Sequence, residues 1–405
     1  MSSFIHDDFL LTTPAARRLY HEHAAGLPIL DYHNHLNARE LADDRQFENI
    51  TQLWLATDPY KHRVMRLAGV PEQLITGDAS DREKFAGWAA TVPQTLGNPL
   101  FHWTALELQR YFGISETLST ATVGRIWDQC NERLRSPEFT ARALLARAKV
   151  ECLCTAEPLE ADLAPYARLA RSDCKTRMLP SLRDAEAPDT ARLDEFQRLG
   201  CRLADHAVNS FDSAVLWACA REYAQRGWSL HLHIGAQRET STRLRRLAGP
   251  AGGYATIGHA CDIAGLCRFL DGLEQEGCLP RTVLYTLHPA DYAAFATLTG
   301  SFAEDGVRGK IQFGPAWWYN DHALGIRQHL DALAHYGLLS TFIGMTTDSR
   351  CLLSMSRHEY FRRVFCAWLG EKVAAGELPA DLGALVRAVC YENAREWLMQ
   401  KRTEK

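Results

Sequence analysis

The chain has 405 residues, of which 46% are apolar and 23% charged, so it is an ordinary globular sequence, long enough for one large domain with an insertion or for two domains. Its formal net charge of -4 and sequence pI near 6.5 give no reason to expect nucleic acid or an anionic membrane as a partner. Met1–Leu10 lacks a signal-peptide pattern, no apolar run approaches the roughly 20 residues of a membrane span, and the twelve cysteines form no C-x-x-C pair, which together predict a cytoplasmic protein with reduced thiols.

The first predicted strand, Pro28–Tyr32, ends beside two histidines, His33 and His35. Residues i and i+2 of a strand point to the same side, so both imidazoles can reach one divalent cation. The motif alone fits two solvent-facing histidines near a strand end equally well. The rest of the chain decides between these interpretations.

Seven further apolar, β-branched-rich runs follow, mostly separated by stretches of helical periodicity. These predicted strands are Val150–Thr155, Arg177–Leu182, Cys201–Ala204, Trp228–Ile234, Thr282–Leu287, Lys310–Phe313 and Thr341–Thr346. The predicted helices are Leu159–Ala170, Leu193–Leu199, Ala214–Gln225, Ile263–Glu276, Ala323–His335 and, after the last strand, Ser356–Leu369 and Leu382–Met399. Eight near-continuous apolar strands alternating with helices favour an α/β fold of the (β/α)8 TIM-barrel type over a doubly wound sheet.

The stretch between strands 1 and 2, residues 36–149, is far too long for a single crossover. It is rich in Trp, Leu, Arg and Glu at helical spacing, for instance over Pro99–Phe112. It predicts a small helical subdomain inserted after strand 1, on the face where βα loops emerge. We therefore divide the chain into 1–35 with strand 1, the helical insert 36–149, and the remaining barrel 150–405.

Polar side chains gather at the carboxyl ends of the predicted strands, where barrels of this type build their sites. Besides His33 and His35, they are Arg183, Asp184, Asp205, His206, His231, His233, His288, Trp317, Trp318, Asp348 and Arg350. Chance placement would not concentrate six histidines and three aspartates on one rim. The clustering favours a metal-dependent enzyme.

Candidate roles follow from the chemistry of these side chains. His33, His35 and Asp348 offer two neutral nitrogens and one anionic oxygen, a set that suits Zn²⁺ with positions left open for substrate. Arg350 can keep Asp348 ionised and able to act as a base, although the two residues could also form a purely structural ion pair. Arg183 can hold a substrate carboxylate as a fork, or it is an ordinary surface arginine.

His231 and His233 alternate with leucines, so both side chains point into the barrel or its mouth. Each can be a metal ligand, a proton shuttle or a hydrogen-bonded core histidine, and His233 lies nearer the rim. Trp317 and Trp318 can form the wall of a sugar pocket, while core packing is an equal alternative for one of them.

Longer strings of residues carry a resemblance to a known family. They are Asp31–Leu36, Ile75–Phe85, Gly97–Trp103, His233–Ala236, Gly309–Gly314 with Trp317–Trp318, Thr347–Arg350 and Arg357–Arg363. On these strings the chain resembles, over nearly its whole length, the uronate isomerases (glucuronate and galacturonate isomerases) of the amidohydrolase superfamily. The resemblance implies a distorted (β/α)8 barrel with a small helical subdomain and one divalent metal at the positions of His33, His35 and Asp348.

The resemblance also implies a reaction, in which glucuronate or galacturonate is interconverted with its 2-ketose, fructuronate or tagaturonate, by proton transfer between C2 and C1. The residues expected to take part are Asp348 as base, Arg350, Tyr60 and His233 as its catalytic partners, and Arg183, Asp205, Trp317 and Trp318 as the substrate site. We also expect a homo-oligomer whose partner is a small-molecule sugar acid, with neither nucleic acid nor membrane.

The chain departs from the usual pattern of this family in loops that contact the sugar. Where the family reads Asp-His-Tyr-Lys-Trp, this chain has Asp58–His62, so the family histidine thought to assist proton traffic is replaced by Pro59, although Tyr60 is kept. His62 could replace the lost imidazole from three positions away. Gln237–Ser241 replaces the usual asparagine run after His-Ile-Gly-Ala. These differences leave the exact sugar acid open.

Two rival functions fit some of the same residues. A metal-dependent hydrolase would use zinc-bound water to attack an ester or amide, and a substrate screen separates it from an isomerase. A non-catalytic barrel that binds sugar acids as a sensor is favoured only by Pro59. The joint presence of His33, His35, Asp348 and Arg350 argues against the loss of catalytic activity that such a sensor would imply.

Overall fold

The computed structural model describes residues 4–399 and shows a curled, parallel sheet surrounded by helices. Its strands are β1 (Ile29–Asn34), β2 (Val150–Glu157), β3 (Arg177–Arg183), β4 (Leu203–Val208), β5 (Ser229–Ile234), β6 (Ala236–Gln237), β7 (Thr256–Ile257), β8 (Thr282–Thr286) and β9 (Ile311–Phe313). The main sheet has the order β1-β2-β3-β4-β5-β8-β9, with parallel neighbours throughout. β6 and β7 form a separate antiparallel pair that the sequence did not predict. The predicted distorted α/β barrel is confirmed.

The helices alternate with these strands and fill the predicted insert. The α-helices are α1 (Pro14–Leu19), α2 (Ala38–Ala42), α3 (Ile50–Trp54), α4 (Pro59–Leu67), α5 (Asp81–Thr91), α6 (Pro99–Phe112), α7 (Val123–Leu134), α8 (Ala141–Arg147), α9 (Ala164–Ala170), α10 (Thr190–Arg198), α11 (Ala214–Arg226), α12 (Thr242–Ala248), α13 (Ile263–Gln275), α14 (Tyr292–Ser301), α15 (Ala323–Tyr336), α16 (Ser356–Ala374), α17 (Gly383–Arg387) and α18 (Asn393–Met399). Tyr20–Ala24 and Ala388–Glu392 are π-helical, and short 3₁₀ turns cover Glu72–Leu74, Val92–Thr95, Pro137–Phe139, Pro289–Asp291, Trp318–Asn320, Leu339–Thr341 and Leu352–Met355. Within residues 4–399, no helix combines the length and the apolar character needed to cross a membrane.

The prediction of a regular eighth strand at Thr341–Thr346 is wrong. Gly344 has a φ of 78°, in the left-handed region, which interrupts an extended ladder. The His33 backbone N–H donates to a side-chain oxygen, Thr346 Oγ1, at 2.8 Å, and not to a backbone carbonyl as it would in a regular ladder. The segment rejoins β1 at its far end, where the Asp348 N–H donates to the His33 carbonyl at 3.0 Å. An irregular segment, not a strand, therefore closes the ring.

Asp31 ties this closing segment to β1. Its carboxylate, which is 0% exposed, accepts hydrogen bonds from Thr346 Oγ1 at 2.5 Å, from the Thr347 N–H at 2.9 Å and from Thr347 Oγ1 at 2.6 Å. His358 Nε2 lies 3.8 Å from the same carboxylate. Burial alone raises the pKa of Asp31, but the nearby His358 and the hydrogen bonds from the two threonines outweigh it and lower that pKa. The buried charge is thereby satisfied.

Several predicted elements differ from the structure at their ends, β4 and α9 among them. β4 begins at Leu203, not Cys201, and its ladder with β5 continues to the pair Val208↔Ile234, so Asp205 lies within the strand and not after it. α9 begins only at Ala164 because Pro165 fits the first helical turn but no later position.

The insert, residues 36–149, holds α2 to α8 and adds no strand to either sheet. The predicted helix Pro99–Phe112 is confirmed with the same bounds. The Asn98 side chain caps its first turn by accepting from the Leu100 N–H at 3.0 Å, and Gly113, with a φ of 64°, ends it in the left-handed conformation. Whether the insert is a domain of its own stays a prediction.

The long helix α16 packs against α1 and α15 on the outside of the barrel. Gly370 allows the backbones to approach closely, since a Cβ there would lie 2.5 Å from the Ala16 nitrogen. All twelve cysteines are free thiols, as the sequence predicts.

We expect Asp31→Ala to lower the free energy of unfolding by about 3–5 kcal/mol, because it leaves the buried donors of Thr346 and Thr347 without their acceptor and His358 without its neighbouring charge. Urea denaturation followed by tryptophan fluorescence measures this change. Asp128→Ala, at an exposed position of α7, is the matched control and should change stability little. Equal denaturation midpoints for the two variants would show that closure of the barrel does not depend on Asp31.

Candidate active site

A cavity of about 250 Å³ opens at the carboxyl ends of the strands. All ten residues to which the sequence assigns a role line it, namely His33, His35, Tyr60, Arg183, Asp205, His233, Trp317, Trp318, Asp348 and Arg350. They come from β1 and the residue that follows it, from β3, β4 and β5, from α4 of the insert, and from the segments after β9. The structure thus brings the ten together, while their individual roles stay predictions.

His33, His35 and Asp348 meet at one carboxylate oxygen. His35 Nε2 lies 2.9 Å and His33 Nε2 lies 3.2 Å from Asp348 Oδ1. Burial lowers the pKa of His35 to about 4. Burial alone would raise the pKa of Asp348, but the hydrogen bonds from His33 and His35 outweigh it and hold that pKa well below its usual range. One anionic oxygen therefore faces two imidazole nitrogens.

The two tryptophans bind the other oxygen of Asp348. Trp317 Nε1 donates to Asp348 Oδ2 at 2.9 Å and Trp318 Nε1 donates to it at 2.5 Å. Both Trp318 (φ 47°) and Asp348 (φ 51°) adopt the left-handed backbone region, which is uncommon for these residue types. The tryptophans line the cavity as expected, and their indole N–H groups have the further effect of orienting the carboxylate.

The sequence suggested that Arg350 pairs with Asp348, but among residues 4–399 no salt bridge joins these two side chains. Arg350 lines the cavity, and its carbonyl accepts a hydrogen bond from Thr57 Oγ1 at 3.3 Å. Donors from the tryptophans and histidines surround the carboxylate instead. Asp348 is thus kept ionised without a contact from Arg350.

A second group of ligand-type atoms adjoins the first. His33 Nδ1 lies 3.8 Å from Asp205 Oδ1, and His233 Nδ1 lies 3.7 Å from Asp205 Oδ2. The His233 ring stacks on Tyr285, with the ring centroids 4.4 Å apart. Burial raises the pKa of Asp205 to about 7 and lowers the pKa of His233 well below its usual value. A shared imidazole, His33, joins the two groups.

These two groups fit a divalent cation. The first group is His33, His35 and Asp348, and the second is His33, Asp205 and His233. Within each group, one ligand atom of every residue lies within 4.8 Å of those of the other two. Three buried atoms, His33 Nδ1, Asp205 Oδ1 and His233 Nε2, have no hydrogen-bond partner among residues 4–399. A bound ion is a standard explanation for such atoms, and imidazole with carboxylate is a donor set that Zn²⁺ and related ions accept.

The other rim histidines do not reach the cavity. His231 is a hydrogen-bonded core residue, with Ser229 Oγ 3.1 Å from Nε2 and Tyr285 OH 3.2 Å from Nδ1. His206 Nε2 pairs with Tyr223 OH at 2.9 Å. His288 caps a 3₁₀ turn by accepting from the Ala290 N–H. Of the three interpretations open for His231, the structure selects the satisfied core histidine.

α4 presents Tyr60 to the cavity but turns His62 away. The Asp58 side chain caps this helix by accepting from the Tyr60 N–H at 2.9 Å, and Lys61 Nζ lies 2.5 Å from the Asp58 carboxylate. The buried Tyr60 hydroxyl has no hydrogen-bond partner among residues 4–399. His62 Nε2 instead pairs with the Leu55 carbonyl at 2.8 Å. His62 therefore does not replace the imidazole that Pro59 lacks.

Two cavity arginines were missed by the sequence reasoning. Arg63 follows Tyr60 by three positions, so it shares the same helical face, and Arg238 comes five residues after His233. Arg63 donates to the carbonyls of Gly253 and Ala255 at 3.2 and 3.0 Å. Both could have been predicted as cavity residues, because each lies close in the chain to a predicted site residue.

The fold and this constellation define a barrel enzyme with a candidate metal centre at the carboxyl ends of its strands. The glucuronate isomerase family model matches residues 1–192 and 197–398 of this chain. The uronate isomerases of Vibrio vulnificus and Bacillus licheniformis are 41% and 39% identical to it, over alignments that cover 99% and 98% of this chain and 100% and 98% of theirs. The chain belongs to the glucuronate isomerase family.

Solved structures agree with this assignment. The uronate isomerase of Thermotoga maritima superposes with a TM-score of 0.90 at 29% identity, covering 98% of this chain and 100% of that one. The glucuronate isomerase of Caulobacter crescentus has a TM-score of 0.88 at 21% identity and 98% coverage of both chains, and supports the fold alone. The predicted family and the predicted aldose–ketose isomerase class are confirmed.

We expect the purified protein to carry about one divalent metal ion per chain and His33→Ala/His35→Ala to lose it, because the double variant removes two imidazole ligands. Elemental analysis after gel filtration measures the content. His21→Ala/His335→Ala changes two exposed histidines and should keep the metal. Full metal content in the His33/His35 variant would rule out this site.

Proposed function

We propose that this protein interconverts a hexuronate, glucuronate or galacturonate, with its 2-ketose, fructuronate or tagaturonate. The observation that carries the proposal is the convergence of an ionised Asp348, two groups of metal-ligand type and several arginines on one cavity in a member of this family. Acid–base groups and cations are the parts that proton transfer within a sugar acid requires.

The resident metal is proposed to be Zn²⁺, held by His33, His35 and Asp348. The neutral nitrogens and single anionic oxygen of this set support the choice. When bound, such an ion supplies Lewis-acid polarisation of substrate oxygens. His33 also belongs to the second group with Asp205 and His233, and these two residues are proposed to orient it.

Asp348 is proposed to take the proton from C2 of the open-chain aldose. The electron pair of the broken C2–H bond then forms a C1–C2 double bond, and the aldehyde oxygen gains the negative charge of an enediolate. Return of a proton to C1, with movement of the O2 proton to O1, completes the ketose. The indoles of Trp317 and Trp318 fix the carboxylate during this transfer by donating to its Oδ2.

Tyr60 and His233 are proposed to serve the oxygens of the enediolate. The Tyr60 hydroxyl and His233 Nε2 are both unpartnered among residues 4–399, so each has hydrogen-bonding capacity free for a ligand. Arg350 is proposed to assist at the same end of the cavity.

Arg183 is proposed to bind the C6 carboxylate. Its side chain is 37% exposed at the end of β3, its Nε lacks a hydrogen-bond partner among residues 4–399, and its contact with Asp184 is long, at 3.8 Å. A guanidinium that is not fully paired can form a bidentate pair with a ligand carboxylate. Asp205, Trp317 and Trp318 complete the proposed substrate site.

We also propose a cellular location, an oligomeric state and a domain division for this protein. The free thiols and the near-neutral balance of charge support a cytoplasmic location without nucleic-acid or membrane partners. A homo-oligomeric state is proposed as well. The helices of residues 36–149, which contribute no strand to either sheet, support the division into 1–35, the insert 36–149 and 150–405.

The proposed reaction is tested with a panel of hexuronates and related sugar acids, followed by NMR in D₂O. We expect the metal-loaded protein to produce a 2-ketose from at least one hexuronate. Its C1 should carry deuterium from solvent or the hydrogen that left C2, because the hydrogen moves as a proton between these carbons. Hydrolysis of an ester or amide without turnover of any hexuronate would contradict the proposal.

We expect Asp348→Asn to reduce turnover by about 10²–10⁴-fold or more, because an amide cannot accept the C2 proton. Steady-state assays at saturating metal measure the loss. Asp262→Asn changes a carboxylate that caps α13 outside the cavity, and asparagine caps a helix equally well, so this control should remain active. Substantial activity in Asp348→Asn with loss in His233→Asn would identify His233 as the base.

A further inference from the structure

The roof of the cavity is a segment that the sequence did not predict as ordered, residues 236–257, which contains β6, α12 and β7. Its residues Arg238, Pro250, Ala251, Gly253 and Ala255 line the cavity. We call residues 236–257 the roof segment. It follows β5 directly, so it extends from the strand that carries His233.

The roof segment is held in place by the insert and by the loop after β9. Arg63 donates to the carbonyls of Gly253 and Ala255, and Tyr319 OH donates to the Ala255 carbonyl at 2.5 Å. Gly253 lies so close to α4 that a Cβ there would meet the Pro59 carbonyl oxygen at 2.2 Å. Because Gln237 of β6 pairs with Thr256 of β7, these contacts also position the backbone next to Arg238 without involving its side chain.

Arg238 is a cation of the roof segment without an anionic partner. Its guanidinium carbon lies 4.8 Å from the ring centroid of Trp318, and no acid of residues 4–399 forms a salt bridge with it. The acids near it have other contacts. Asp348 accepts from the two tryptophans, Asp205 lies beside His33 and His233, and Asp184 lies beside Arg183. Glu239, the next residue in the chain, pairs with Arg245. Stacking on an aromatic face orients the plane of a guanidinium while leaving its N–H edge free.

We infer that Arg238 is a second arginine for the substrate carboxylate, which it binds together with Arg183, and that it determines specificity for sugar acids. This inference rests on the proposed function. Arg183 ends β3 and Arg238 follows β5, so the two side chains enter the cavity from either side of β4. A carboxylate has two oxygens with about four acceptor sites and can accept two guanidinium groups at once.

The same arrangement selects against neutral sugars. An aldohexose carries a hydroxymethyl group where a hexuronate carries its carboxylate, and a hydroxyl neutralises neither arginine. Binding such a sugar would leave both guanidinium groups without the carboxylate that they pair with in a hexuronate. Arg238 is thus expected to contribute to binding and to discrimination, and not to the proton transfer at C1 and C2.

The test compares Arg238→Met, Arg238→Lys and Arg183→Met in the metal-loaded enzyme. KM and kcat are measured for the hexuronate that the wild type uses, and the Kd of the corresponding aldonate, which has a carboxylate but no aldehyde, is measured by calorimetry. Arg246→Met is the matched control, because it removes the same charge from an exposed site of the roof segment outside the cavity.

We expect Arg238→Met to raise KM and the aldonate Kd by on the order of tenfold, which is typical for loss of a hydrogen bond to a charged group, while kcat changes little. Arg238→Lys should fall between this variant and the wild type, since a lysine keeps the charge but not the fork. Arg183→Met should have a similar signature, and Arg246→Met should match the wild type.

Unchanged KM and Kd in Arg238→Met, with an active wild type, would overturn this inference and leave the proposed function standing. A fall in kcat alone would also overturn it, because it would show that Arg238 acts only through Trp318 and Asp348. A wild type that turns over no hexuronate would overturn the proposed function, and the inference with it.

Discussion

The site depends on how the barrel is closed between its first strand and its last segment. No regular eighth strand bridges β1 and β9. Instead the buried carboxylate of Asp31 collects donors from Thr346 and Thr347, and the Asp348 N–H reaches the His33 carbonyl. Side-chain donors can stabilise a segment whose backbone leaves the extended conformation. This closure sets Asp348 beside the histidines of β1.

Asp348 is the point at which the separate parts of the cavity meet. Its Oδ1 faces His33 and His35, and its Oδ2 accepts from Trp317 and Trp318. A carboxylate with both oxygens engaged has a defined orientation and a stabilised negative charge. The left-handed φ of 51° at Asp348 is compatible with this crowded arrangement, in which backbone strain is offset by many polar contacts. Proton transfer and metal binding would then use one preorganised group.

Much of this could be predicted because strands ending in polar residues mark the active face of a parallel barrel. The positions of His33, Arg183, Asp205 and His233 follow from that rule, and all line the cavity. The prediction of an eighth strand was wrong because Gly344 adopts a left-handed φ, which local β-propensity does not reveal. His231 and His233 share one local pattern, yet His231 is hydrogen-bonded in the core while His233 lines the cavity. The difference depends on how far along the strand each residue lies and on its neighbours from other strands.

The sequence by itself determined the chemistry available to this protein: the strand periodicity, the His-x-His ligands, the acidic and cationic residues at strand ends, and the family to which they belong. Only the tertiary structure decided which groups pair. His35 and Asp348 lie 313 positions apart yet are 2.9 Å apart in space. Spacing along the chain could not show that tryptophans and not Arg350 contact Asp348, that His62 turns away, or that Arg238 lacks an acid. Such pairings depend on contacts between distant segments, for which local periodicity carries no information.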